Sequence, residues 1–265
     1  MPIMKKLLLL LVCPLWAFAQ PGSPSFDFEK LVDFILPDHA DSDVIVRHDG
    51  YTLRFRDAYK VADWVAYPLL PEEINGTAMR EGSTFRPDPD VPTGSALPND
   101  YTSSGYDRGH LAPAGDFHFS KSMMQQTFFM SNMTPQLPAF NRGIWKELEA
   151  LVRGWGIRDG GLYVVTGPVL KPGLPTIGQK NQVAVPEQFY KVILYCHAPD
   201  IRMIGFLLRN EASHEPLTSF VVPVYEIEGL TGIDFFPLIP IDLQDKLKKT
   251  PPEAAIKQWF FQLAR

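Results

Sequence analysis

Residues 106–149 read YDRGHLAPAGDFHFSKSMMQQTFFMSNMTPQLPAFNRGIWKELE, and this stretch decides how the rest of the chain is understood. His110 follows Gly109 directly, and imidazole is the side chain best suited to take a proton near neutral pH. Arg108 lies two residues earlier, so an extended backbone would turn both side chains to one side. A guanidinium beside an imidazole suits an anionic substrate better than a metal, and its charge keeps the ring neutral and therefore basic. Asp107 then falls on the opposite face, where it can tie the segment down. The spacing predicts a helix over 141–153, with Asn141 at its start. A carboxamide oxygen is a hard donor, suited to Mg²⁺ or Ca²⁺ and poor for zinc. Glu149 comes eight residues later, about 12 Å along a helix axis, which assigns it a role through water rather than on the same ion. Singly, each has an ordinary reading: a histidine in a turn, a helix cap, a surface ion pair. Trp145 and Leu148 read as core. The signal is in the combination and its spacing.

Outward from this stretch the chain alternates strands and helices. Val44–Arg47 and Tyr51–Arg56 flank His48-Asp49-Gly50 and read as a hairpin. Strands are expected at 61–67, 162–166, 192–195, 203–208 and 220–224, and helices near 28–35, at 121–130 with Ser120 as cap, at 226–230 and at 251–263. Residues 71–104, rich in Pro, Gly, Ser and Asp, read as a long loop of the kind that carries function. The expected fold class is α+β, with residues 20–42 a linker and 43–265 one domain.

The 265 residues are 45% hydrophobic and 21% charged, which excludes a disordered chain, a collagen and a polytopic membrane protein. Lys5 and Lys6, the apolar run to Phe18, and Ala17-Phe18-Ala19 before Gln20 have the three parts of a secretory signal peptide. Residues 1–19 are therefore expected to be removed near Ala19, giving a secreted or periplasmic protein. The run is short of the roughly 20 residues that span a bilayer, so no stable membrane association is expected. Losing two lysines takes the net charge from −5 to −7 and leaves Cys196 as the single cysteine, without a disulfide partner. Between Ser104 and Lys146, Arg108, Lys121, Arg142 and Lys146 outnumber Asp107 and Asp116 by only two, which predicts weak, salt-sensitive binding to a polyanion.

Three motifs occur in order: Asp107–His110 (DRGH), Ser131–Gln136 (SN-x-x-PQ) and Asn141–Glu149 (N-x-x-x-W-x-x-LE), with Thr166-Gly167-Pro168 and Pro186, Tyr190 and Lys191 as weaker echoes. Together they resemble the DNA/RNA non-specific endonuclease family, of the Serratia nuclease and endonuclease G type, over roughly residues 45–245. The resemblance implies a central, mostly antiparallel sheet with flanking helices and a ββα-metal (His-Me finger) motif. It implies His110 as general base, Arg108 beside it, Asn141 as ligand of a single Mg²⁺ (Mn²⁺ an allowed substitute), and Glu149 as the carboxylate that orients metal-bound water. It also implies an upstream arginine on phosphate, for which Arg80 and Arg86 are both candidates, with Arg142 a further substrate contact. DNA and RNA are then the substrates, the products carry 5′-phosphates, and a homodimer is compatible with the family.

Two alternatives stay open: a metal-dependent phosphodiesterase acting on another phosphodiester, and a nucleic-acid-binding protein that has lost catalysis. A zinc hydrolase is disfavoured, because His110 and His118 lie eight apart and no His-Glu-x-x-His occurs. Asn75-Gly76-Thr77 and Asn132-Met133-Thr134 match the glycosylation pattern and are read as incidental.

Overall fold

A computed structural model describes residues 33–197 and 200–261. The expected signal peptide and the linker as far as residue 32 lie outside the described residues. Seven strands form one antiparallel sheet. In spatial order they are β1 (Val44–Arg47), β2 (Thr52–Arg56), β3 (Val61–Leu69), β6 (Leu162–Pro168), β9 (Gln188–His197), β10 (Asp200–Arg209) and β11 (Val221–Val222). A separate ribbon pairs β4 (Asp107–His110) with β5 (Met133–Gln136), and a small one pairs β7 (Thr176–Ile177) with β8 (Val183–Ala184). The helices are α1 (Pro71–Ile74), α2 (Lys121–Gln126), α3 (Pro138–Asn141), α4 (Ile144–Asp159), α5 (Val224–Thr231), α6 (Ile241–Lys248) and α7 (Pro252–Phe260).

The central strands are largely apolar because both faces are covered. Successive side chains alternate between two cores. Leu162, Val164, Phe189 and Ile193 pack with Trp145, Leu148, Val152 and Trp155 of α4. Tyr163, Val165, Tyr190 and Val192 pack on the other side with Val224 and Ile227 of α5 and Leu247 of α6. Ile35 and Leu36, in the stretch read as a linker, are buried in this second core.

Two helices depart most from the expected bounds. The stretch 141–153 is not one helix: Asn141 ends α3, and α4 starts at Ile144 and runs to Asp159. Gly143 makes the break, with φ −103° and ψ −116°, and a Cβ there would stand 2.5 Å from the Ala139 carbonyl oxygen. Helix α2 stops at Gln126 rather than at residue 130, although Ser120 caps it as expected, accepting from the Met123 amide at 3.3 Å. Among the described residues no helix is long and apolar enough to cross a membrane.

Helix α1 buries Glu73, whose Oε2 accepts the Leu70 amide at 3.1 Å. Burial, with the charges of Glu72 and Asp116 adding to it, raises this carboxyl to about 8. Unfolded chain loses the proton near 4.5 and folded chain near 8, so stability falls as pH rises between those values. Glu73→Gln is expected to make that slope shallower and to stabilise the protein at pH 8 by about 1–3 kcal/mol. Urea unfolding of both proteins at pH 5 and pH 8 measures it; parallel pH dependences would contradict it.

Candidate active site

The DRGH segment is a four-residue strand, and its placement follows from its partner. In β4–β5, Arg108 faces Pro135, Gly109 faces Thr134 and His110 faces Met133. Gly109 has no room for a side chain, since a Cβ would lie 2.1 Å from Cδ of the buried Gln136. Asn132 then fixes the chain just past His110. Its Oδ1 accepts the Ala112 amide at 2.9 Å, and its Nδ2 donates to the carbonyls of Ala112 at 2.9 Å and Thr127 at 2.8 Å. Asn132 is fully buried, so the glycosylation match there is incidental in the folded chain. The SN-x-x-PQ motif thus holds the strand that presents His110.

Arg108 and His110 line the same cavity, of about 550 Å³, as the alternation of an extended strand requires. Arg80, Asn141, Arg142 and Glu149 line it too. Residues far apart in sequence therefore meet, and the break at Gly143 removes the straight 12 Å axis expected between Asn141 and Glu149. Arg86 is not among the lining residues; its guanidinium packs 4.2 Å over the Phe129 ring and Nη1 donates to the Thr84 carbonyl. Of the two upstream arginines, only Arg80 faces this site.

The His110 ring is wedged against Phe128 (5.0 Å, edge-on) and Phe85 (5.9 Å). No hydrogen bond holds it among the described residues, and its Nε2 is enclosed without a partner. Burial first, and the Arg80 charge second, pull its pKa down to about 3. The ring is therefore neutral around pH 7, the protonation state from which a base must start. Burial does more of this than the neighbouring cations from which neutrality was expected.

Asp107 organises the opposite wall. Asn141 Nδ2 donates to its Oδ2 at 2.9 Å, while Arg142 grips both oxygens, Nε at 2.8 Å and Nη2 at 2.6 Å. Arg142 above all, then Asn141, holds the Asp107 carboxyl below the usual carboxylate range. With its NH₂ committed, Asn141 has only its carbonyl oxygen left as a ligand. Arg142 reaches the cavity with its charge already answered, so it serves Asp107 first. Arg108 is steadied by the Phe85 ring at 5.2 Å and by the Pro98 carbonyl at 2.7 Å.

Other lining groups were not legible in sequence. His118 gives Nδ1 to the Ala78 carbonyl at 2.8 Å, and Lys146 and Arg153 add positive charge. Arg80, Arg108, Arg142, Lys146 and Arg153 face one another across the cavity with Glu149 as the acidic lining residue. The surplus of two counted along 104–146 understates this field, because Arg80 and Arg153 come from outside that window.

A second cluster, His48, Asp88 and Asp90, has donor atoms close enough to hold an ion. Its geometry is that of a buttress. His48 Nε2 pairs with Asp88 Oδ2 at 2.9 Å, and the same oxygen accepts a short bond from Ser131 Oγ. A carboxylate oxygen so engaged ties the β1–β2 hairpin to the loop before β5. Asn141 and Glu149, hard oxygen donors lining the larger cavity, fit Mg²⁺ better.

A histidine-bearing strand, its antiparallel partner, and a following helix around one cationic cavity define a ββα-metal centre. Residues 37–241 match the model of the DNA/RNA non-specific endonuclease family. The chain is 37% identical over 207 residues to nuclease C1 of Cunninghamella echinulata var. echinulata, a match covering 72% of this chain and 82% of that protein. It is 35% identical to mitochondrial endonuclease G of Homo sapiens over 72% of this chain and 69% of that one. Against mitochondrial nuclease EXOG of Mus musculus, also 35% identical, it spans only 56% of the relative's length. A chain of the solved EndoG/EndoGI complex superposes with a TM-score of 0.75 at 31% identity, covering 88% of this chain and all of that one. The protein belongs to the DNA/RNA non-specific endonuclease family.

Proposed function

We propose that this chain is a divalent-cation-dependent endonuclease that hydrolyses phosphodiester bonds of both DNA and RNA, leaving 5′-phosphate and 3′-hydroxyl ends. The observation that carries this is the convergence of His110, Asn141 and Glu149 on one cavity walled by arginines. His110 takes the proton of the attacking water, for which a neutral, half-buried imidazole with an unpaired Nε2 is suited. Arg80 and Arg108 hold the phosphate and offset the charge that grows on it in the transition state. Asn141, backed by Asp107, would hold Mg²⁺, with Mn²⁺ as substitute, and Glu149 would act at the edge of that site. The cation, when bound, supplies charge neutralisation at the phosphate and the leaving oxygen. These are phosphate contacts, so cleavage needs no particular base.

The test is a panel of plasmid DNA, ribosomal RNA and small phosphodiesters, each with Mg²⁺ and with chelator. Mg²⁺-dependent loss of both nucleic acids is expected. Turnover of small phosphodiesters alone would move the substrate to another class, and no turnover would indicate a binding protein. Export to the periplasm or medium is also proposed, resting on Lys5-Lys6, the apolar run and Ala17–Ala19. The intact mass of the exported protein should correspond to a chain starting at Gln20; a retained leader would contradict it.

A further inference from the structure

The mechanism above leaves the Pro186–Lys191 segment unused, yet it ends on a lysine that is 1% exposed. Lys191 lies on β9 between Phe189 and Ile193, which share its face and pack into the core beneath α4. Its Nζ stands 4.9 Å from the Trp145 ring centroid and has no hydrogen-bond partner. Trp145, Glu149 and Arg153 follow one another at four-residue spacing along α4, so they form one stripe of the helix. The ammonium therefore lies under the turn that carries Glu149. Arg153 and Glu149 reach the cavity, whereas the buried Lys191, Asp116 and Tyr67 are not among its lining residues.

Asp116 is already satisfied. Arg153 Nη1 donates to its Oδ1 at 2.7 Å and Tyr67 Oη to its Oδ2 at 2.9 Å. No hydrogen bond holds Glu149 among the described residues. Glu149 is the largest charge acting on Lys191, and Lys191 the largest acting on Glu149. Burial drives the carboxyl up and the ammonium down, and each partner opposes the other's shift. Enclosing an ammonium without a hydrogen-bond partner is costly, and the neighbours Phe189 and Ile193 show what the strand otherwise carries here. Structure alone does not require this lysine.

We propose that Lys191 is a positioning residue, an ammonium built beneath the cavity floor that fixes the Glu149 carboxylate at the edge of the divalent-cation site without touching substrate. This rests on the reading that Asn141 and Glu149 serve a divalent cation.

The test compares wild type, Lys191→Met, Glu149→Gln and the double variant by circular dichroism, Mn²⁺ calorimetry without nucleic acid, and plasmid nicking. Lys191→Met is expected to fold, to bind Mn²⁺ about tenfold or more weakly, and to nick about 10–100-fold more slowly. Added to Glu149→Gln, it should cost less than about twofold further, because it acts through that carboxylate. Should Lys191→Met not fold, Lys191→Gln is judged on the same two readouts. A folded variant with wild-type Mn²⁺ affinity and rate would overturn the proposal, as would losses that multiply in the double variant. Wild-type protein that takes up no Mn²⁺ would instead overturn the cation reading beneath it.

Discussion

His110→Ala is expected to lose plasmid-nicking activity by at least about 10²–10⁴-fold, the usual worth of a positioned general base, while its circular dichroism stays that of the wild type. The fold should survive because the strand carrying His110 is held by other means. Its pairing with β5 is made by backbone, and the residues just beyond it are clamped by the three Asn132 side-chain bonds. The ring itself contributes packing against Phe85 and Phe128 but no hydrogen bond. Enclosing an imidazole without a partner is costly, so a protein with no use for a base at this point would do better with an apolar side chain. Because burial has already lowered the ring's pKa to about 3, acidification from pH 7 to 5 should not switch the base off by protonating it. A His110→Ala protein nicking plasmid at wild-type rates would remove the proposed base.

Asn141→Ala is expected to reduce the rate by at least about 100-fold and to raise the Mg²⁺ concentration needed for half-maximal activity, since a hard oxygen donor is lost where several kcal/mol of charge stabilisation are supplied. Asp107 would keep its two-pronged grip from Arg142, so the local structure should hold. Asn141→Asp is informative because it offers the cation another oxygen yet should not rescue. The Asn141 amide nitrogen donates to Asp107 at 2.9 Å, and a carboxylate in its place would face another carboxylate. That contact explains why a carboxamide stands here. Nicking measured against Mg²⁺ concentration checks both variants; an unchanged half-saturation for Asn141→Ala would exclude it as the ligand.

The parts of the fold legible in sequence were those written in local pattern. Asp49-Gly50 between β-rich runs marked the β1–β2 hairpin, and the run at 162–166 marked a strand buried on both faces. The β4–β5 ribbon, on which the site depends, was not legible as a ribbon. Its strands are four residues long, one contains Pro135, and they pair across more than twenty residues of intervening chain, so neither alternation nor a turn signal announces them. Helix α6 was missed because its eight residues carry few apolar positions, and the break at Gly143 was missed because a lone glycine inside a helical pattern is common.

At the site, residue chemistry was legible and neighbourhood was not. The alternation along an extended strand placed Arg108 beside His110, and the separation of Arg80 from Arg86 needed coordinates, since both follow the same loop composition. Asp107 was expected to tie the segment down, and it does so through Asn141 and Arg142, side chains that no spacing rule could assign to it. Arg80 and Arg153 join the cavity from outside residues 104–146, which is why a count along that window underestimated its charge.

Diffraction from crystals soaked in Mn²⁺, collected at the manganese absorption edge, bears most directly on the central claim. One anomalous peak is expected in the cavity, against the Asn141 carbonyl oxygen and facing His110. A peak at His48, Asp88 and Asp90 instead, or none near Asn141, would contradict the account.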